Sequence, residues 1–280
     1  MPNRQSTNDP VVFVTVRKQE STPDYLRKMG DSKNGNRRFS EINLGCVCPM
    51  ASEEQTAVSF VDAVLAQFQS KDFKSVNLFV ILDRACKDNT LELLKQHALQ
   101  RPQLRVVWAP ENRSVVDAYV RGYQEALAAG CDWILEIDAG FSHRPEDIPQ
   151  FLDKMSEGYD CVFGSRFCDG GSIADSSFKR KLISRGGTLL ANSLLGTKLK
   201  DMTSGFEMFS RGALEAVVDR GIKSRGPFFQ TEIKTYCRNL NVAEVPIQYR
   251  AASHEVNNKV LKDSFSNLWR LYRLRRHGQL

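Results

Sequence analysis

No run of about 18 or more apolar residues occurs in the 280-residue chain, so no membrane-spanning helix is expected. The N-terminus, MPNRQSTNDP, lacks the charged and then apolar pattern of a secretion signal. Both absences point to the cytoplasm. Paired CxxC spacings are missing as well. The seven cysteines (Cys46, Cys48, Cys86, Cys131, Cys161, Cys168 and Cys237) are odd in number, which argues against a disulfide framework or a zinc site. No G-x-G-x-x-G follows the first expected strand, which argues against a dinucleotide-binding enzyme. No internal repeat or low-complexity block is visible.

What is there has ordinary globular composition, 41% hydrophobic and 26% charged, and the length suits one α/β domain with an added tail. The net charge is +6. Much of it sits in the tail, where Lys262, Arg270, Arg273, Arg275 and Arg276 face Asp263 alone. A basic surface suits phosphates and acidic membranes. Nucleic acid is not expected, because no aromatic-basic motif accompanies the charge.

Residues 1–41 read as a polar arm with one short strand over 11–16. From Ile42 the pattern becomes regular. INLGCVC (42–48) reads as a buried strand that places Cys46 and Cys48 on one face and ends at Pro49. Ser52 and Gln55 then predict a capping box, followed by a helix burying Phe60, Val61, Val64, Leu65 and Phe68. VNLFVILD (76–83) reads as a second strand, and Asn89 with Glu92 as the next cap. LRVVW (104–108) is a third strand. Ser114 and Asp117 cap a helix with an apolar face of Val116, Val120, Tyr123 and Leu127. WILEID (133–138) is a fourth strand. Beyond it, 180–195 reads as a helix, with strands at 206–210 and 242–249. Alternating strands and helices predict a mainly parallel sheet, which binds ligands at its carboxyl edge, where Asp83 and Asp138 fall.

Acids at strand ends, with loops rich in Arg and Gly, suit a phosphorylated ligand and a divalent metal. Seven segments in order strengthen that reading. They are PMASEE (49–54), VILDRACKDNT (80–90), EIDAGFSHRPEDIP (136–149), GSRFCDGG (164–171), SRGGTLLANSLLG (184–196) with DMTSGFEMFSR (201–211), FFQTE (228–232), and EVPIQYR (244–250) followed by Lys259. This series resembles the family 2 glycosyltransferases of the GT-A fold, in their polyprenol-phosphate, dolichol-phosphate mannose synthase-like branch. The resemblance covers roughly 42–260. It departs from the family at three places: Tyr and Asn are missing from PMASEE, Arg84 replaces a second acid, and Gly140 stands where the second metal-binding acid belongs.

The resemblance implies a GT-A fold, a mainly parallel mixed α/β sheet flanked by helices. It implies transfer of a hexose, mannose or glucose, from a nucleotide-diphosphate sugar to a polyprenyl phosphate, with inversion. Pro49, Glu53, Asp83 and Asp88 would bind base and ribose. Asp138 would contact Mg²⁺ or Mn²⁺ on the diphosphate, and Lys259 would close over it. Arg166 and Arg185 would hold the acceptor phosphate. Ser204, Gly205, Gln230 and Glu232 would line the sugar and acceptor site, with Glu232 or Asp201 as base should the acceptor be a hydroxyl. Glu136 points to the same side as Asp138, but it lies about 7 Å back along the strand, too far to replace the missing acid. His143 reads as a hydrogen-bonded structural residue. Two other readings stand beside this one: a transferase with a soluble hydroxyl acceptor, and a non-catalytic nucleotide-sugar-binding protein, for which Gly140 is the main argument. Residues 261–280 read as a basic amphipathic helix with the stripe Leu261, Phe265, Leu268, Trp269 and Tyr272. That stripe could lie on an anionic membrane or pack on the domain.

Overall fold

The computed structural model of the protein is described for residues 37–174, 178–250 and 258–280, without the side chains of 178–181, 258 and 259. The strand expected at 11–16, most of the N-terminal arm and the Lys259 side chain lie outside the described residues.

The elements alternate as the hydrophobic pattern requires. They run β1 (Asn43–Met50), α1 (Ala57–Phe68), β2 (Ser75–Leu82), α2 (Thr90–Ala98), β3 (Leu104–Trp108), α3 (Val115–Ala128) and β4 (Trp133–Glu136). There follow α4 (Ile148–Ser156), β5 (Cys161–Ser165), β6 (Ser172–Ala174), α5 (Phe178–Leu195), β7 (Glu207–Ser210), α6 (Arg211–Arg220), α7 (Phe229–Tyr236), β8 (Val242–Pro246), β9 (Gln248–Arg250) and α8 (Asn258–Arg276).

Seven strands form one sheet in the order β3-β2-β1-β4-β7-β5-β8. Only β7 runs against its neighbours, pairing antiparallel with both β4 and β5. A small parallel pair, β6 and β9, stands apart. Strand alternation divides the core. Leu44, Cys46 and Cys48 face one layer with Phe60 and Val64 of α1 and Phe151 of α4. Val47, Phe79 and Ile81 face the other, with Tyr119 and Tyr123 of α3, Leu214 of α6 and Ile233 of α7. All seven cysteines are free thiols.

Several local expectations need correction. β1 does not stop before Pro49 but runs through it to Met50, with Pro49 in register with Ile81. The reason lies in which side of the strand the proline nitrogen faces. The Val47 carbonyl accepts from Ile137 N on the β4 side. Pro49, two residues on, faces the same side beyond the end of β4, so its missing N–H breaks no ladder bond. Ser52 does not cap α1, which starts later, at Ala57. Its hydroxyl instead accepts from Lys87 N at 3.0 Å, tying the β1–α1 turn to the β2–α2 loop. Asn89 stands at the N-cap of α2, but its side chain makes no capping bond; Asp88 Oδ1 accepts from Thr90 N and Oγ1 instead, at 3.1 and 2.6 Å. Ser114 caps α3 as expected, accepting from Asp117 N.

The buried face of α3 is also rotated from the expected one. It carries Val116, Tyr119, Gly122, Tyr123 and Ala126, while Val120 and Leu127 are only partly buried. Gly122 explains the rotation. A Cβ there would lie 2.2 Å from Val47 Cγ1, so only glycine lets α3 approach β1 this closely. The tyrosines on that face then reach the end of β4.

Candidate active site

The parallel strands bring the carboxyl ends of β1, β2 and β4 to one edge. β5 runs the same way, and the antiparallel β7 begins there. β8 is parallel to β5, so all seven sequence segments have members at or against one edge of the sheet, on loops held by a rigid scaffold. Of the residues those segments name, the Lys259 side chain lies outside the described residues.

β4 stops at Glu136 rather than running to 138, so Asp138 lies two residues beyond its end. Its side chain is 41% exposed. Tyr119 OH donates to its Oδ1. His143 Nδ1 accepts from the Asp138 backbone N–H at 3.3 Å, which places the ring proton on Nε2. The ring is buried, stacked on Phe206 with centroids 5.1 Å apart, and burial lowers its pKa. A neutral ring makes no ion pair with Asp138 Oδ2 at 3.6 Å. His143 thus holds the loop, as read from the sequence. The turn after Asp138 is left-handed at two successive residues, Gly140 (φ 69°) and Phe141 (φ 58°). Positive φ at an aromatic residue is strained. Phe141 is held there by an edge-on contact with Phe60, centroids 5.0 Å apart.

The residues expected to bind base and ribose divide by whether their oxygens are already occupied. Asp83 Oδ1 accepts from Ala85 N at 2.8 Å, and no donor among the described residues meets Oδ2. Asp88 is fully engaged. Besides Thr90 it accepts from Glu54 N at 3.0 Å, and these bonds, that of the Thr90 hydroxyl foremost, lower its pKa. Its observed task is to join the two turns. Pro49 lies at the end of β1, and Glu53 lies in the turn that follows.

Of the residues expected to hold the acceptor phosphate, Arg166 meets Asp201 in a two-pronged ion pair, Nε to Oδ2 at 2.7 Å and Nη2 to Oδ1 at 2.8 Å. Nη2 also reaches Ser184 and Thr203. Burial alone would raise the pKa of Asp201, but the Arg166 hydrogen bonds and charge outweigh it and hold the carboxyl at about 2. Arg185 is exposed and lies over the Phe167 ring, 5.0 Å from its centroid.

Glu232 is wholly buried. Its carboxylate receives Lys223 N, Ser224 N, Ser224 Oγ, Tyr236 OH and Arg270 Nη2. Five donors on a group with about four acceptor sites leave none free for base chemistry. Its observed work is to anchor α8 through Arg270. Ser204 Oγ donates to the Gly164 carbonyl, and Gly205 packs against the Gln230 amide.

Beneath Asp138 lies a buried charged group that the sequence did not reveal. Glu136 and Glu207 are register partners on β4 and β7. Tyr123 OH and Gln230 Nε2 donate to Glu136. Lys234, fully buried, donates to the Ser204 carbonyl at 2.7 Å and lies 3.1 Å from Glu207 Oε1. That last contact is one of charge rather than bond direction, for neither Glu207 oxygen receives an aligned donor among the described residues. Burial pushes the Glu207 pKa up to about 7, with Lys234 opposing, and raises that of Glu136 well above the ordinary range. Helical spacing of Gln230 and Lys234, and of Tyr119 and Tyr123, was the available signal.

Carboxylates at the β1–β2–β4 edge and the exposed guanidinium of Arg185 are groups suited to a phosphorylated ligand and its cation. The family model for glycosyl transferase family 2 matches residues 46–218, more than half of the chain. The protein belongs to this family.

Two relatives carry further information. The undecaprenyl-phosphate mannosyltransferase of Micrococcus luteus is 31% identical over 172 residues, 61% of this chain and 70% of that protein. The polyprenol monophosphomannose synthase of Mycolicibacterium smegmatis is 29% identical over 173 residues, 61% of this chain and 65% of that protein, just under two thirds of its length. Among solved structures, glucosyl-3-phosphoglycerate synthase from Mycobacterium tuberculosis, with Mn²⁺, UDP and phosphoglyceric acid, matches with a TM-score of 0.60 at 17% identity, over 91% of this chain and 84% of that one. The same enzyme with UDP-glucose matches at 0.59. These likenesses establish the GT-A fold. Family membership also explains why ordered segments so far apart in sequence meet at one edge.

The structural neighbours bind Mn²⁺ or Mg²⁺. Among the described residues no group of three or more His, Cys, Asp or Glu side chains could hold a metal. The donor set still fits a hard cation. Asp138 offers carboxylate oxygen at an exposed edge, and such cations take much of their coordination from water and diphosphate oxygens.

Proposed function

We propose that this chain transfers a hexose, mannose or glucose, from a nucleotide-diphosphate donor to a polyprenyl phosphate, with inversion at the sugar carbon. The observation that carries the lipid acceptor is the outer face of α5 and α8. Leu182, Arg185 and Leu189 lie on one face of α5, with Leu189 74% exposed. The exposed face of α8 carries Lys262, Phe265, Trp269, Arg273 and Arg276, the two aromatics each 58% exposed. α5 contains no acid, and α8 only Asp263. Exposed apolar side chains among cations suit the surface of an anionic bilayer. Arg185 stands on that face and stacks on the loop after Arg166, so the lipid surface and the site adjoin.

A phosphate acceptor needs no base, since its second pKa is about 6 and it is largely a dianion near neutrality. It needs orientation and charge neutralisation. Arg185 supplies a guanidinium that makes no hydrogen bond among the described residues, and Arg166 is held rigid by Asp201. A hydroxyl acceptor would need a base. The two acids named for that task are poor ones: Asp201 is held at about 2 and Glu232 is saturated with donors. Asp138 is oriented by Tyr119 and His143 toward the donor diphosphate. A divalent cation, when bound, would neutralise charge on that diphosphate. Pro49 and Asp83 would border the nucleoside, Ser204, Gly205 and Gln230 the sugar, and Lys259 the diphosphate from the first turn of α8. Residues 42–260 would form the transferase domain and 261–280 the membrane-facing helix.

Calorimetry of GDP-mannose and UDP-glucose, with Mn²⁺ and with chelator, tests the donor half. One donor should bind, and Asp138→Ala should weaken it at least about tenfold. No binding of any nucleotide sugar would overturn the proposal.

A further inference from the structure

Gly140 occupies the place of the second acid in the family's metal motif, and the space beside it is not empty. A Cβ built on Gly140 would lie 3.2 Å from Glu53 Oε2 and 3.3 Å from Oε1. One bond beyond that Cβ, an aspartate would carry its own carboxylate, into the region the Glu53 oxygens hold. We propose that Glu53 supplies the second carboxylate of the divalent-cation site, in place of an acid at position 140. This rests on the donor-site reading above, which by itself gave Glu53 only a nucleoside contact.

Three features make Glu53 suited to the task. Its backbone is fixed: Glu53 N donates to Thr90 Oγ1 at 2.8 Å, and its carbonyl accepts from Thr56 N and Ala57 N at the start of α1. Its side chain is oriented by one donor, Thr56 Oγ1 to Oε2 at 2.8 Å. Oε1 meets no donor among the described residues. A ligand carboxylate braced through one oxygen with the other free is what a hard cation needs. The exchange also accounts for the glycine. Position 140 has φ of 69°, and an aspartate there would set a second negative group against Glu53. Glu136 is no competitor, since both its oxygens are engaged inside the core.

The test is Mn²⁺ affinity, read from the electron paramagnetic resonance of free Mn²⁺ in the presence of GDP and, separately, UDP. Nucleotide binding in chelator is measured alongside by calorimetry. Glu53→Gln keeps an acceptor for Thr56 and the fold, and should weaken Mn²⁺ at least about tenfold. Adding Gly140→Asp to that variant should recover most of the loss, since aspartate tolerates left-handed backbone better than most residues. Two results overturn the proposal: an Mn²⁺ affinity unchanged in Glu53→Gln, or a loss that Gly140→Asp fails to restore in a protein with wild-type circular dichroism. Nucleotide binding in the wild type alongside either result would leave the donor reading standing. Absence of both Mn²⁺ and nucleotide binding in the wild type would sink the two together.

Discussion

Arg166 and Asp201 show how one side chain can be spent on holding another. The pair is buried, with the Arg166 side chain 9% exposed and that of Asp201 not at all. Removing one partner leaves an uncompensated buried charge, so Arg166→Met should cost about 3–5 kcal/mol of stability in urea unfolding. A loss within the error of the wild type would show that the pair does not brace the site. Glu207 makes a prediction of the opposite kind. Its folded pKa is raised from 4.5 to about 7, so the folded state keeps a proton that the unfolded state releases. Its contribution is fully present below about pH 4.5 and lost as pH rises through about 7, on the order of 3 kcal/mol. Stability should therefore fall over that window, and Glu207→Gln should flatten the fall, with Glu136 supplying what slope remains. An identical pH profile in the variant would contradict the buried charged group described here. Asp138 was legible in the sequence because it follows an apolar strand inside an ordered motif. The partner of Arg166 was not, for the two lie 35 residues apart and only β5 and β7 join them. The sequence singles out Glu53 by its motif but not as the neighbour of Gly140, because that contact exists only once β1 and β4 lie side by side.

At the scale of elements, strands and helices followed from periodicity, while the ends of elements turned on contacts that periodicity does not contain. Pro49 continues a strand because its neighbour has already ended. Ser52 bonds a loop that the sequence could not place beside it. The C-terminal stripe is the fullest case. Five residues at helical spacing were read as one face, yet the helix divides them. Leu268, together with Leu271, packs on Ala191, Leu195 and Met202, while Phe265 and Trp269 face outward. The reading in which the stripe packs on the domain holds for Leu268, and the outward aromatics give this helix a second apolar face. Each face can be tested. Leu271→Ala should destabilise the protein by about 2–5 kcal/mol through the cavity it leaves. Phe265→Ser with Trp269→Ser should leave unfolding within about 0.5 kcal/mol of the wild type. That double variant should lose co-sedimentation with phosphatidylglycerol vesicles. Vesicle binding that survives it would remove the outer face from the account.

At the scale of the molecule, the sheet explains why widely separated segments make one site. Six strands of the sheet run one way and end at one edge, and the single reversed strand, β7, starts there with Ser204 and Gly205 just ahead of it. Among the described residues no helix is long and apolar enough to cross a membrane. In the proposed function, the outer face of α5 and α8 is the surface that meets the lipid. The most direct measurement is transfer itself. The full chain is mixed with Mn²⁺, radiolabelled GDP-mannose or UDP-glucose, and polyprenyl phosphate in phosphatidylglycerol vesicles, and label is followed into the lipid. The account predicts lipid-linked sugar from one donor, lost in Asp138→Ala and strongly reduced in Arg185→Ala. Donor binding without label entering lipid, or label passing to a soluble hydroxyl acceptor instead, would contradict it.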